Sequence, residues 1–322
     1  MVQITKALVT PILFSGLVLI TSCGSHNNNQ SELNIVGGEV VTKNFSLFDP
    51  SSVVRLITEE SKCSGVVISP RLVATSAHCF TPNKTGDIHI HNWQTGEDRK
   101  VRFLGVTRHP EYKDSEEFDA KINDVALIYA EEELQVEPMA IWQNPNSREA
   151  RIDSESKFGV LGYGVQSTTT TQPQRENPLK YLRFAKMAIY PTIFMGFSTT
   201  ATACVGDSGG PVIITENSST YLAAITQTTP LKTCSLSGVA GNLGTASTPI
   251  NEDMVDRLKD TMKSDGEYTD SFLVPKSLSA ENMKARAEKH CTDRGLELKA
   301  HHRTHRFIDK RLHVTCKIPD NI

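Results

Sequence analysis

A chain of 322 residues with 38% hydrophobic side chains can bury a sizeable core, enough for one large domain and something smaller. Charged residues make up 22% with both signs interspersed, which excludes a largely disordered chain. The formal net charge of −3 selects no class of partner.

In chain order, the first segment is the most distinctive. Lys6 is the only charge before Glu32, and Ala7–Ile20 is an apolar run broken by Thr10, Pro11, Ser15 and Gly16. That run is too short to span a bilayer comfortably and reads as a secretory signal, a positive start followed by an apolar stretch. It ends in Ile20-Thr21-Ser22-Cys23, which resembles the lipobox of bacterial lipoproteins, where the cysteine becomes the lipidated first residue. The plainer alternative is an ordinary signal peptide with a chance cysteine. The expectation is a lipoprotein signal peptide over 1–22 and a flexible polar tether over 23–34. Seven cysteines are an odd number for an exported protein; lipid on Cys23 leaves six, enough for three disulfides in an oxidising compartment. The expected place is the bacterial envelope, in the outer membrane or periplasm, with the membrane as a partner through Cys23.

From Ile35 to about Lys263 the sequence reads as many short strands. Val53–Ile57, Ser64–Ile68, Val125–Tyr129 and Ala223–Ile225 are β-type runs separated by Gly, Pro, Asn and Asp. Gln166–Asn177 is polar throughout and reads as a long surface loop. A helical period appears only after Pro249, where Met254, Val255, Leu258 and Met262 share one face and Asn251 is placed to cap it. Many strands with one terminal helix predict an all-β barrel or sandwich.

Beyond about Ser264 the composition changes. Residues 276–322 hold eleven Lys/Arg against six Asp/Glu, and five of the ten histidines. The pattern predicts a small basic extension over 266–322, with a helix over 280–294 and paired strands over 301–307 and 311–318. Cys291 and Cys316 could staple so small a unit. A metal site using these cysteines with His290, His301, His302, His305 and His313 is the rival, although the spacing matches no known zinc motif. The extension either binds polyanions, such as anionic lipid, envelope polymer or nucleic acid, or is a solvated cap.

Four local patterns carry chemistry. Ile35-Val36-Gly37-Gly38 opens the strand-rich region. Thr75-Ser76-Ala77-His78-Cys79 sets a histidine beside a cysteine. Asn123-Asp124-Val125-Ala126-Leu127 sets an acid at the mouth of an apolar strand. Cys204-Val205-Gly206-Asp207-Ser208-Gly209-Gly210-Pro211 holds a serine in a tight glycine turn. Together and in this order they resemble the chymotrypsin/trypsin family of serine proteases, over roughly residues 35–263. That resemblance implies two six-stranded antiparallel β-barrels with a C-terminal helix over 35–265, with the small α/β extension appended. It also implies hydrolysis of peptide bonds in protein or peptide substrates, with no cofactor and no metal.

The family's roles fall on matching residues here. Ser208 is the nucleophile; its hydroxyl is weak at neutral pH, so His78 takes its proton and later protonates the leaving amine. Asp124 holds the imidazole in the right tautomer. Gly206 and Ser208 supply the N–H groups of the oxyanion hole, and Gly209 and Gly210 leave room for the substrate backbone. In the family a new N-terminal amine, here on Ile35, pairs with the acid before the nucleophile, here Asp207, so the uncut chain is expected to be a zymogen. Asn34 stands where the family usually has Arg or Lys, so the activating protease is not a trypsin-like one. The Cys23–Asn34 tether spans at most about 40 Å, and a cut after Asn34 would also release the enzyme from its lipid.

By the same resemblance Cys63 pairs with Cys79 and Cys204 with Cys234, which leaves Cys291 with Cys316 by elimination. Thr202 lies at the base of the substrate pocket, and Thr226-Gln227-Thr228 takes the place of the pocket wall, with Thr226 and Thr228 as its lining residues. The absence of an aspartate at Thr202 argues against Arg/Lys specificity and for a small or medium uncharged side chain. The competing reading is a catalytically inactive protease fold used for binding or adhesion.

Overall fold

A computed structural model describes residues 35, 38–59, 61–81, 85–113, 123–143, 157–164, 181–190, 195–198, 201–228, 243–265, 267–273, 279–294, 296–305 and 310–319. The long polar loop predicted over 166–177 lies outside these residues, as do Cys23 and Cys234.

β1 (Glu39–Val40) is short. β2 (Val53–Ile57), β3 (Lys62–Ser69), β4 (Leu72–Thr75), β5 (Gly86–His91), β6 (Asp98–Arg108) and β7 (Ala126–Ala130) close into a barrel in the order β2-β3-β4-β7-β6-β5. Every pairing is antiparallel, and the inward set is aliphatic and aromatic, including Val54, Leu56, Val67, Ile88, Phe103 and Ile128. At roughly 25 cal/mol per Å² of apolar surface, this burial dominates the stability of the barrel.

β8 (Lys157–Gly162), β9 (Arg183–Tyr190), β10 (Met195–Ser198), β11 (Pro211–Glu216), β12 (Ser219–Thr228) and β13 (Leu243–Pro249) form a second sheet, with β1 added to the edge of β9. Because β8 pairs with both β11 and β9, six of its strands make a closed circuit of pairings. The all-β expectation is met, and β2–β7 form the first barrel outright.

α1 (Glu252–Asp265) follows β13, and Asn251 caps it by accepting a hydrogen bond from the Met254 N–H at 2.8 Å. Its Val255, Leu258 and Met262 are buried, as the period requires. The extension consists of β14 (Glu267–Leu273), α2 (Ala280–Thr292), β15 (Glu297–His305) and β16 (Lys310–Lys317), with sheet order β14-β16-β15. Cys291 on α2 is disulfide-bonded to Cys316 on β16, which takes both thiolates away from the rival metal site. The extension shares one buried cluster with the main body: Ala287, Cys291, Leu312 and Val314 belong to the same cluster as Leu127 and Leu258. Arg294 also pairs with Glu131 at 2.9 Å, and Arg71 donates to the Glu131 carbonyl at 2.7 Å. Among the described residues no helix is long and apolar enough to cross a membrane.

Candidate active site

His78 sits in a single turn of 3-10 helix, Ala77–Cys79, directly after β4. The Cys63–Cys79 disulfide ties that turn to β3. Asp124 precedes β7 and is fully buried. The carboxylate meets the histidine twice, accepting the His78 backbone N–H on Oδ1 at 2.8 Å and His78 Nδ1 on Oδ2 at 2.7 Å. Two bonds from one carboxylate fix both the ring plane and its tautomer, with the proton on Nδ1 and Nε2 left to accept.

Ser208 lies in the turn leading into β11. Its hydroxyl donates to the main-chain carbonyl of Gln227 at 2.8 Å, not to His78 Nε2. The two residues are nonetheless neighbours of one sulfur: Cys79 Sγ is 4.0 Å from His78 Nε2 and 3.9 Å from the Ser208 carbonyl oxygen. Catalytic hydrogen bonds in a substrate-free site are often unmade and form only with substrate in place.

The Ser208 turn is held by three main-chain amides. Asp207 N–H donates to Cys204, Gly209 N–H to the Thr226 carbonyl, and Gly210 N–H to Asp207. Among the described residues the N–H groups of Gly206 and Ser208 have no such partner, and Gly206 adopts φ +96°, a conformation that favours glycine.

Asp207 is fully buried with a different set of partners. Cys204 N–H donates to one oxygen at 2.8 Å and Gly164 N–H to the other at 2.7 Å, with the Ile35 main-chain N–H as a third donor. Burial nonetheless pushes this carboxyl up to about 7, against the lowering effect of the three amides. Gly164 has to be glycine, because a Cβ there would lie 2.5 Å from the Asp207 carboxyl carbon. Ile35 is fully buried among Phe158, Val160 and Val212. It holds φ +42°, a left-handed conformation that strains a β-branched residue. Arg183, also buried, donates to the Gly38 carbonyl beside it, and desolvation lowers its guanidinium to about 10.

Two residues matter here that the sequence did not single out. Ser64 donates to the Gly206 carbonyl at 2.8 Å, accepts the Tyr163 N–H, and donates its own N–H to the Ser208 carbonyl, tying β3 to the nucleophile turn. A serine beside a strand cysteine carries no local signal of this, since every partner is distant in sequence. Gln227 is the second: the predicted wall residues Thr226 and Thr228 flank it, and its carbonyl is what touches Ser208. Thr202 is fully buried, and Thr226 is buried with its hydroxyl unpartnered among the described residues. Cys204 is disulfide-bonded, while Cys234 lies outside the described residues.

A family profile described as Trypsin matches residues 35–248. A chymotrypsin of Phaedon cochleariae is 29% identical over 196 residues, covering 56% of this chain and 70% of that protein. A trypsin of Saccharopolyspora erythraea is 24% identical over 196 residues, covering 56% of this chain and 82% of that protein. A solved structure of neuropsin, a serine protease expressed in the limbic system of mouse brain, superposes with a TM-score of 0.48 at 22% identity, covering 69% of this chain and 98% of its own.

Proposed function

This chain belongs to the trypsin family, and on that premise we propose that it is a serine endopeptidase that cleaves peptide bonds through Ser208, His78 and Asp124. The observation that carries the reading is the doubly bonded His78–Asp124 pair beside a serine turn in which, among the described residues, the Gly206 and Ser208 amides have no main-chain acceptor.

In this reading, substrate displaces the Ser208 hydroxyl from the Gln227 carbonyl and turns it to His78 Nε2. The imidazole takes the proton as Oγ bonds to the scissile carbonyl carbon. Asp124 stabilises the resulting imidazolium. The carbonyl oxygen becomes an oxyanion held by the Gly206 and Ser208 amides, each such donor being worth about 3–4 kcal/mol. His78 then protonates the departing amine, leaving an acyl-Ser208 ester. Water attacks that ester by the same route and restores the free serine.

The finer reading is a lipid-anchored zymogen. Lipid on Cys23 would hold the uncut chain at the membrane, and a cut after Asn34 would both release and activate it. In the uncut chain Asp207's hydrogen-bond donors among the described residues are main-chain amides; the cut would replace the Ile35 amide with an ammonium and end the backbone constraint behind its positive φ. The substrate pocket, with Thr202 at its base, is assigned to a small or medium uncharged side chain.

The test is hydrolysis of a peptide mixture by chain cut before Ile35. The reading expects turnover that Ser208→Ala removes. Equal turnover by both forms, or none from correctly cut chain, refutes it, and the latter result favours a protease fold used for binding.

A further inference from the structure

Beside His78, on the side of the Cys63–Cys79 disulfide, lies a depression of about 260 Å³ lined by Thr58, Ser61, His78, Cys79, Phe80 and Arg108. Arg108 ends β6 and is half-buried. Its Nε donates to the Phe80 carbonyl at 2.7 Å, and its guanidinium stacks 5.1 Å from the centre of the Tyr112 ring. Those are its partners among the described residues, and neither is a carboxylate. The guanidinium is therefore held in place from two sides, and no carboxylate among the described residues answers its charge. A fixed, planar, partly desolvated cation is a stronger carboxylate receptor than a mobile surface lysine, because little side-chain freedom is lost on binding.

The direction of the cleft decides what meets it. In the peptidase reading the acyl part of a substrate lies on the β12 side of Ser208, where Thr226 and Thr228 are assigned to its pocket. His78 must protonate the leaving amine, so the chain beyond the scissile bond runs past the imidazole and over Cys79. A residue adds roughly 3.3 Å to an extended chain, which brings the first or second residue after the bond over this depression.

We propose that Arg108 is a specificity-determining residue for the leaving side of the substrate, selecting a carboxylate within two residues after the scissile bond. The inference rests on the peptidase reading above. Two sources supply that chemistry, an Asp or Glu side chain and the free C-terminus of a peptide cut near its end.

The experiment digests a peptide library, half with free and half with amidated C-termini, with the full chain cut before Ile35, and maps the sites by mass spectrometry. The Arg108→Gln and Arg108→Lys forms are run in parallel. Wild type should favour Asp and Glu over Asn and Gln in the two positions after the bond by about three- to tenfold in kcat/KM, more at low salt than at high. Arg108→Gln should lose that preference, lowering kcat/KM at acidic sites far more than at neutral ones, and Arg108→Lys should keep part of it. A preference confined to free C-termini would assign the site to the terminal carboxylate. The same neutral-to-acidic ratio in wild type and Arg108→Gln, with no effect of amidation, overturns the inference. An absence of cutting anywhere counts against the peptidase reading itself.

Discussion

Two buried carboxylates, Asp124 and Asp207, are equally hidden from water yet are treated in opposite ways. Asp124 meets a titratable ring and its backbone amide, so an opposing charge can appear beside it whenever His78 gains a proton. Asp207 meets three amides and, among the described residues, no cation, and its carboxyl rises to about 7. The difference shows that main-chain dipoles orient a buried acid without making its charge comfortable. In the proposed zymogen reading, a cut before Ile35 would put a positive group beside Asp207, because the Ile35 main-chain nitrogen already bonds to that carboxyl.

The largest effect should come from Asp124→Asn. It keeps the volume but destroys the tautomer control, and kcat should fall on the order of 10⁴-fold with little change in KM, as the same change does in another Ser-His-Asp protease. Steady-state kinetics on cut chain measure it.

Asp207→Asn should separate the two forms of the chain. In cut chain it strands the Ile35 ammonium without its counter-charge, a loss of about 3–5 kcal/mol that empties the active conformation. In uncut chain above pH 7 the same change should be neutral or stabilising, because it removes an unpaired buried charge. Denaturant melts of both forms at pH 8 decide this.

The pH dependence follows from the same group. A carboxyl that titrates at 3.8 when unfolded and at about 7 when folded holds its proton more tightly in the folded state. Its contribution favours the fold fully below about pH 3.8, fades as pH rises, and is gone above about pH 7, a total of roughly 4 kcal/mol. Uncut chain should therefore lose stability across that window more steeply than cut chain, and Asp207→Asn should flatten the curve of the uncut form.

The smallest effect in this series is Gly164→Ala. Its Cβ would stand 2.5 Å from the Asp207 carboxyl carbon and must push it aside, costing about 1–3 kcal/mol. Activity of the cut chain should fall while the His78–Asp124 pair, read by the imidazole proton resonances, stays unchanged.

Much of this was legible in the sequence where one residue type in a short window has one physical use. The α1 period and its Asn251 cap were readable because side chains and cap are local. The extension helix read over 280–294 is α2, Ala280–Thr292, and the strands read over 301–307 and 311–318 are β15 and β16, shifted by a few residues. β14 was not readable: Glu-Tyr-Thr-Asp-Ser-Phe-Leu has no clean alternation, and it becomes a strand by pairing with β16, far along the chain. His78, Asp124 and Ser208 were named from their motifs, but the resting bond from Ser208 to the Gln227 carbonyl depends on how β12 meets the nucleophile turn, which no window contains. The Ser64 ties escaped for the same reason, as did the depression at Arg108, since its walls come from three separate stretches of chain.

The most direct measurement of the central claim is labelling of cut chain with a fluorophosphonate, followed by mass mapping of the adduct. An activated alcohol beside a fixed imidazole should carry the label on Ser208 alone, at a rate that Asp124→Asn sharply reduces. No adduct, or one distributed over other serines and indifferent to Asp124, would contradict the account.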